Sequence, residues 1–198
     1  MESLDELLQQ AEAAHGHLCA GQILGVRMAL LGLARLGIAD PRGADRKRLV
    51  TYVEIDRCAT DAISLVTGCR LGKRALKFRD WGKMAATFVD LASGRAIRVV
   101  ALEESRALAD QAYPLLSKQT RQKLAYRLLP DAQLFREQWV RVAIDSADLP
   151  GYSGDRVVCS QCGEGVNFGR IVMAGGQRLC LSCANPGSRY WQDAPPEN

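Results

Sequence analysis

Histidine is scarce in this chain. Among 198 residues there are only His15 and His17, one residue apart and just ahead of Cys19 in "AAHGHLCAG". Long uncharged apolar runs are also missing. The most apolar stretch, Ile23 to Ile38, carries Arg27 and Arg35, whereas a membrane span needs about 20 residues with few charges; a buried helix is the reading. No internal repeat is present, and no ferredoxin-like cysteine run, which argues against an iron–sulfur cluster of that type. The opening "MESLDELLQQAEAAHGH" is acidic and amphipathic and lacks the basic start of an export signal. The protein is therefore expected in the cytoplasm, with no membrane contact. Thiols stay reduced there, so the seven cysteines read as metal ligands or reactive groups rather than disulfides.

Positive charge is in modest excess, at +4. Much of it falls between Arg42 and Arg48, and on Arg70, Lys73, Arg74, Lys77, Arg79 and Lys83. That excess suits a solvated basic face better than a nucleic-acid footprint.

The length fits one full domain and a small appendage. Ser3 followed by Glu6 is a capping-box pattern, with Leu4, Leu7, Leu8 and Ala11 on one helical face, predicting a helix over residues 4–14. A second helix is expected over 21–36. Its small residues Gly21, Gly25 and Gly32 would let another backbone approach, inside the domain or across a dimer. "RLVTYVEI" reads as a strand and "CATDAISLVT" as a helix stopped by Gly68. "RALKF", "MAATFVDL" and "AIRVVAL" are strand candidates, the last two joined by a hairpin. Helices over 103–111 and 118–128 follow, and "QWVRVAI" is expected to close the domain as a strand. Without steady βαβ alternation the fold class is α+β. "DLPGYSGD" marks a boundary, giving a core domain over 1–150 and a second unit over 151–198.

The second unit carries the most specific motif. Cys159 and Cys162 form one C-x-x-C, Cys180 and Cys183 another, with seventeen residues between. This is the spacing of a structural zinc site, two short loops completing a tetrahedron of thiolates. The intervening "GEGVNFGRIVMAGGQRL" is expected to form a hairpin turning at Gly163 and Gly175-Gly176. So few large apolar side chains would fold poorly without the metal. Four arginines against four carboxylates from Gly151 onward favour a protein contact surface over nucleic acid, with Tyr190 and Trp191 as an aromatic anchor before a frayed tail.

A second constellation lies in the first domain. If "HGHLCAG" is extended, side chains two apart point the same way, so His15, His17 and Cys19 would converge on one ligand. Imidazole with thiolate suits a transition metal. The plainer alternative makes His15 a helix cap, His17 an exposed loop residue and Cys19 a small core residue. Downstream, Cys58 falls at a helix start, where the dipole would lower its pKa, with Asp61 one turn on. Cys69 follows the helix stop and Lys73 sits in a Gly-bounded loop. In this scheme Cys19 and His17 are primary ligands, and Cys58 is a third donor or reactive thiol. Lys73 stabilises an anionic ligand or thiolate, while His15, Asp61 and Cys69 orient the ligands.

Three pieces, "HGHLCAGQILGVRMA", "VEIDRCATDAISLVTGCRLGK" and "FRDWGKMAATF", resemble in order the FmdE family, named for the E component of formylmethanofuran dehydrogenase, with the four-cysteine element after them. The resemblance implies an α+β core, a homodimer and a treble-clef-like zinc finger. It also implies that His15, His17, Cys19, Cys58, Asp61, Cys69 and Lys73 occupy the family's motif positions. The chain departs from the family pattern at Ala20, where proline is usual, and at Arg70 and Met84. The functional expectation is a metal-binding accessory or metal-handling partner of a molybdenum or tungsten oxidoreductase, using structural zinc and a second transition metal. The alternative is a stand-alone enzyme using His17, Cys19, Cys58 and Lys73 on a small substrate.

Overall fold

Ser3 caps the first helix in the computed structural model, which describes residues 2–167, 169–192 and 194. Its hydroxyl accepts the Glu6 N–H, and the Glu6 carboxylate accepts the Ser3 N–H at 2.8 Å. Helix α1 (Leu4–His15) buries Leu7, Leu8 and Ala11 and ends at Gly16, whose φ of 88° closes the helix in the left-handed region. Helix α2 (Ala20–Leu36) is the central beam, with Ile23, Val26, Met28 and Leu33 fully buried. Each such side chain contributes roughly 1.5–3 kcal/mol relative to exposure.

Strand β1 (Leu49–Val53), helix α3 (Cys58–Thr67) and strand β2 (Leu76–Phe78) form a crossover unit, since β1 and β2 pair in parallel. Strands β3 (Ala85–Asp90) and β4 (Ala96–Ala101) form the expected hairpin. Helices α4 (Glu104–Ala112) and α5 (Lys118–Leu128) follow, then a single turn α6 (Asp131–Leu134) and strand β5 (Phe135–Val140). The sheet order is β2-β1-β3-β4-β5, antiparallel except at β1–β2. Cross-strand neighbours Thr51, Phe88 and Ile97 share one face, all fully buried. On the opposite face Tyr52, Thr87, Arg98 and Gln138 align. The last strand begins earlier than "QWVRVAI" suggested. Phe135 is its buried anchor opposite Ala101, and pairing ends at Val140 because β4 begins at Ala96.

The glycines of α2 explain how the layers close. A helix-interior glycine costs up to about 1 kcal/mol relative to alanine. A Cβ on Gly25 would lie 2.4 Å from the Ala59 carbonyl oxygen of α3, and one on Gly32 would lie 2.2 Å from the Phe88 ring of β3. The close approaches these residues permit are therefore inside this unit.

The chain divides into two compact units, Met1–Ala143 and Ile144–Asn198. The second contains the hairpin of β6 (Val157–Val158) with β7 (Gly165–Val166), the hairpin of β8 (Ile171–Ala174) with β9 (Gln177–Cys180), and a short helix α7 (Leu181–Ala184). Gly175 and Gly176 make the β8–β9 turn with φ of 56° and 77°, as a two-residue hairpin loop with both centres left-handed requires. Tyr190 is 98% exposed and Trp191 42% exposed, with Arg189 over the Trp191 ring at 5.0 Å. Residues 193 and 195–198 of the expected tail lie outside the described residues. Among the described residues, no helix is long and apolar enough to cross a membrane.

Candidate metal centres

Among the described residues, the buried core of the second unit consists of Cys159, Leu179, Cys180 and Cys183. Three of its four members are thiols, which is too little apolar surface to hold two hairpins together. With Cys162, these cysteines bring four sulfurs within 4.8 Å of one another. Four thiolates around a tetrahedral ion with bonds of about 2.3 Å would be separated by about 3.8 Å; Cys162 and Cys180 stand at 3.9 Å. The sulfurs also receive outer hydrogen bonds. The Cys180 N–H donates to Cys159 Sγ at 3.3 Å, and Arg189 Nη2 donates to Cys183 Sγ at 3.6 Å. Donation from the Cys162 and Cys180 backbone holds the Cys159 thiol down to about 6. At Cys162 the Glu164 backbone pulls down, but burial and the neighbouring thiols push the group up to about 12. Crowded thiols that can ionise only in part are what a cation would satisfy. The donor set fits a metal ion with all four positions filled by protein.

A second group forms in the first unit, where His15, Cys19 and Cys58 place one ligand atom each within 4.8 Å of one another. Three helix ends make it. His15 is the last residue of α1, Cys19 is the N-cap of α2, and Cys58 opens α3. Cys19 caps with sulfur: its Sγ accepts the Gln22 N–H at 3.4 Å, and Gln22 Oε1 accepts the Cys19 N–H at 3.1 Å. Gln22, itself buried, also donates to the Ala11 carbonyl at 3.0 Å, tying α1 to α2. Gly21 lies between the two sulfur-bearing helix starts, where a Cβ would make ordinary contact with Cys58 Cβ at 3.6 Å and Cys19 Sγ at 3.7 Å. Gln22 escaped the sequence reading because a cysteine in the cap position hides a capping box, though the C-x-x-Q spacing was there to be read.

The structure corrects several assignments. His15, not His17, is the imidazole in the three-donor group. The segment is not extended at this point; the left-handed turn at Gly16 sends the chain off α1, leaving the two rings tilted with centroids 5.0 Å apart. Asp61 lies beside His15, its Oδ2 3.6 Å from Nδ1, in ion-pair range but longer than a hydrogen bond. Cys58 does not have the lowered pKa expected at a helix start. Burial, then the hydrogen bond and charge of Cys19, push its thiol up and outweigh the local backbone donor. Cys69 is buried apart from this group, with the Thr51 hydroxyl at 3.5 Å from its sulfur and the Leu49 carbonyl at 3.6 Å. Burial raises its pKa, so it is an inert packed thiol. Lys73 ends a 3-10 turn (Leu71–Lys73), where its charge acts on Cys69.

Two of the three donors, His15 and Cys58, line a cavity of about 440 Å³ together with Val53, Leu71, Leu76 and Phe78, and with Asp56, Arg57, Thr60 and Asp61. It sits at the carboxyl end of β1, where the crossover to α3 begins. Crevices of this kind recur as ligand sites in sheets with a parallel crossover.

A family model described as "FmdE, Molybdenum formylmethanofuran dehydrogenase operon" matches residues 14–144, spanning the three-donor group and the whole sheet. This chain belongs to the FmdE family. A crystal structure of a tungsten formylmethanofuran dehydrogenase FmdE-like protein from Syntrophus aciditrophicus superimposes with a TM-score of 0.63 at 25% identity, covering 96% of both chains. A protein of Archaeoglobus fulgidus named "Probable S-adenosyl-L-methionine-binding protein" is 30% identical over 208 residues, covering 94% of this FmdE chain. This FmdE chain spans 54% of that relative's length, so the ligand in its name stays with that protein. The mixed helix and sheet core, followed by a four-cysteine cluster compatible with a zinc ribbon, is the architecture expected from sequence.

Proposed function

We propose that this FmdE-family protein is a metal-binding accessory protein working with, or supplying metal to, a molybdenum or tungsten oxidoreductase. The observation that carries the reading is the convergence of His15 Nδ1 or Nε2 with Cys19 Sγ and Cys58 Sγ within 4.8 Å, although Cys58 is 39 residues beyond Cys19 in sequence. One imidazole and two thiolates suit zinc or another borderline-soft ion, and three protein donors leave a position for an exchangeable ligand. A metal bound there would supply a Lewis-acidic centre. His15, Cys19 and Cys58 would hold it, Asp61 would steady the imidazole, and Gln22 would fix the Cys19 cap. In this reading the four-cysteine unit carries zinc as a structural ion, and the protein acts as a cytoplasmic homodimer. The description of the family model, a molybdenum formylmethanofuran dehydrogenase operon, supports the choice of partner.

A second reading, an enzyme in its own right, is favoured by the cavity of about 440 Å³ beside the three donors. A pocket of this size admits a small substrate.

Elemental analysis of the purified protein and its variants tests the metal assignment. Two metal equivalents per chain are expected, one lost in C162S and the other in C19S and in C58S. A single equivalent, untouched by C19S and C58S, would reject a core-domain metal. Metal transfer from the loaded protein to an apo molybdenum or tungsten enzyme, absent in C19S, then separates the accessory reading from the enzymatic one.

A further inference from the structure

The cavity lined by His15 and Cys58 has a mixed lining. To it the crossover unit contributes Val53 at the end of β1, Leu76 and Phe78 from β2, and Leu71 from the 3-10 turn. Two of these apolar side chains are not core. Leu71 is 66% exposed and Phe78 is 40% exposed, yet both line the same cavity as His15 and Cys58. Charged groups sit around them: Asp56, Arg57 and Asp61 are of mixed sign, so the cavity has no single-signed field to select a highly charged ligand.

We infer that this cavity takes a small molecule with one terminal soft donor, such as a thiolate, and a short apolar body. The donor enters the open position beside His15 and Cys58, and the apolar body lies against Leu71, Leu76 and Phe78. This rests on the core-domain metal proposed above and adds the class of ligand. The physical basis is area. Leu71 and Phe78 in the free protein leave apolar surface in water, and a ligand chain laid on them removes it. Each methylene so covered tightens binding about fourfold. Binding through the donor atom alone would show no dependence on chain length.

The experiment uses the full chain loaded with cobalt(II), whose visible absorption reports on coordination, and a series of straight-chain thiols from ethanethiol to hexanethiol. Their binding is read as a change in the cobalt spectrum. The four-cysteine site has no open position, so only the core-domain ion responds. In the native protein, Kd is expected to fall about fourfold with each added methylene until the chain outgrows the cavity. L71S and F78S, at exposed positions that the fold tolerates, are expected to flatten that dependence while ethanethiol still binds. A Kd independent of chain length, with cobalt present in the core site, overturns the ligand class and leaves the metal assignment standing. So does a chain-length dependence that survives both substitutions. Failure of the core site to take cobalt at all, seen as a single tetrathiolate spectrum unchanged in C19S, overturns both.

Discussion

Gly25 and Ala59 bring two helices closer than any side chain would allow: a Cβ on Gly25 would stand 2.4 Å from the Ala59 carbonyl oxygen and 2.8 Å from its Cα. The neighbour of Ala59 is Cys58, and one turn before Gly25 on α2 is Gly21, beside Cys19. The contact that packs α2 on α3 is thus the contact that brings two sulfurs together.

Gly25→Ala is therefore expected to do two things at once. Forcing a methyl against backbone rather than a flexible side chain costs about 1–3 kcal/mol, outweighing the gain in helix propensity of about 1 kcal/mol. It also pushes the start of α3 away from Cys19, so metal at the proposed core-domain site should bind more weakly by tenfold or more while the four-cysteine site is unchanged. Thermal unfolding and metal titration of G25A read the two effects. Gly72, which has nothing within 4 Å of an added Cβ and an ordinary φ, is the control, and G72A should leave stability within about 0.5 kcal/mol. If G25A melts like the native protein and holds both metals, α3 is not positioned by this contact.

Gln22 makes a separate claim on the same site. Its side chain satisfies the Cys19 N–H and the Ala11 carbonyl from a position only 1% exposed. Gln22→Met keeps the volume and removes both bonds, stranding the partly buried Cys19 N–H donor and taking one partner from the Ala11 carbonyl. The expected cost is about 2 kcal/mol, with faster amide exchange at Cys19 and in the last turn of α1. Hydrogen exchange by mass spectrometry or NMR checks it. Unchanged protection at these amides would mean that the glutamine only fills space.

Much of this arrangement was legible in the amino-acid order because local rules and tertiary packing agree there. Ser3 with Glu6, Gly68 after α3 and the Gly175-Gly176 turn each need only neighbours a few residues away, and each forms as its chemistry predicts. The four-cysteine motif was legible for the same reason, its two short loops being local. What escaped depended on direction. His15 and His17 could be ordered as ligands only by knowing that α1 ends at His15 with a left-handed residue at Gly16, which leaves the two rings in contact but only His15 grouped with Cys19 and Cys58. The Cys58 thiol was misjudged because a helix start lowers a pKa only if burial and a second sulfur do not outweigh it. Cys69 could not be separated from the other cysteines until its bond to Thr51 and its place under β1 were known.

Asp90 gives the fold an acid-sensitive joint. It ends β3, accepts the Arg48 guanidinium at 2.9 and 3.2 Å, and takes the Ser93 hydroxyl and Ala92 N–H of its own turn. The Arg48 hydrogen bonds, working against burial, hold its carboxyl down to about 2 from an ordinary 3.8. A carboxylate depressed in the folded state stabilises fully above its unfolded pKa and loses that contribution as pH falls through the folded value. The shift corresponds to about 2 kcal/mol at neutral pH. D90N should accordingly lower stability by about that much at pH 7. The gap between native and D90N proteins should close as pH falls from about 4 to about 2. Denaturant unfolding across this range measures it, and a gap independent of pH would assign the loss to turn geometry instead of charge.

Removing the ion from the four-cysteine site should unfold one unit and spare the other. In the second unit the buried side chains are Cys159, Leu179, Cys180 and Cys183, so its two hairpins have almost no apolar core to fall back on. Binding free energy of order 10 kcal/mol for a structural ion is then folding free energy. The first unit has its own core of α2 against β3 and β4, with Phe88, Ile97 and Met28 fully buried. Chelation, or C162S, is expected to lower amide protection in the β8–β9 hairpin by a thousandfold or more. Protection in β3 and β4 should stay near its native level. Hydrogen exchange before and after chelation decides between this and a single cooperative fold, in which both sets of amides would lose protection together.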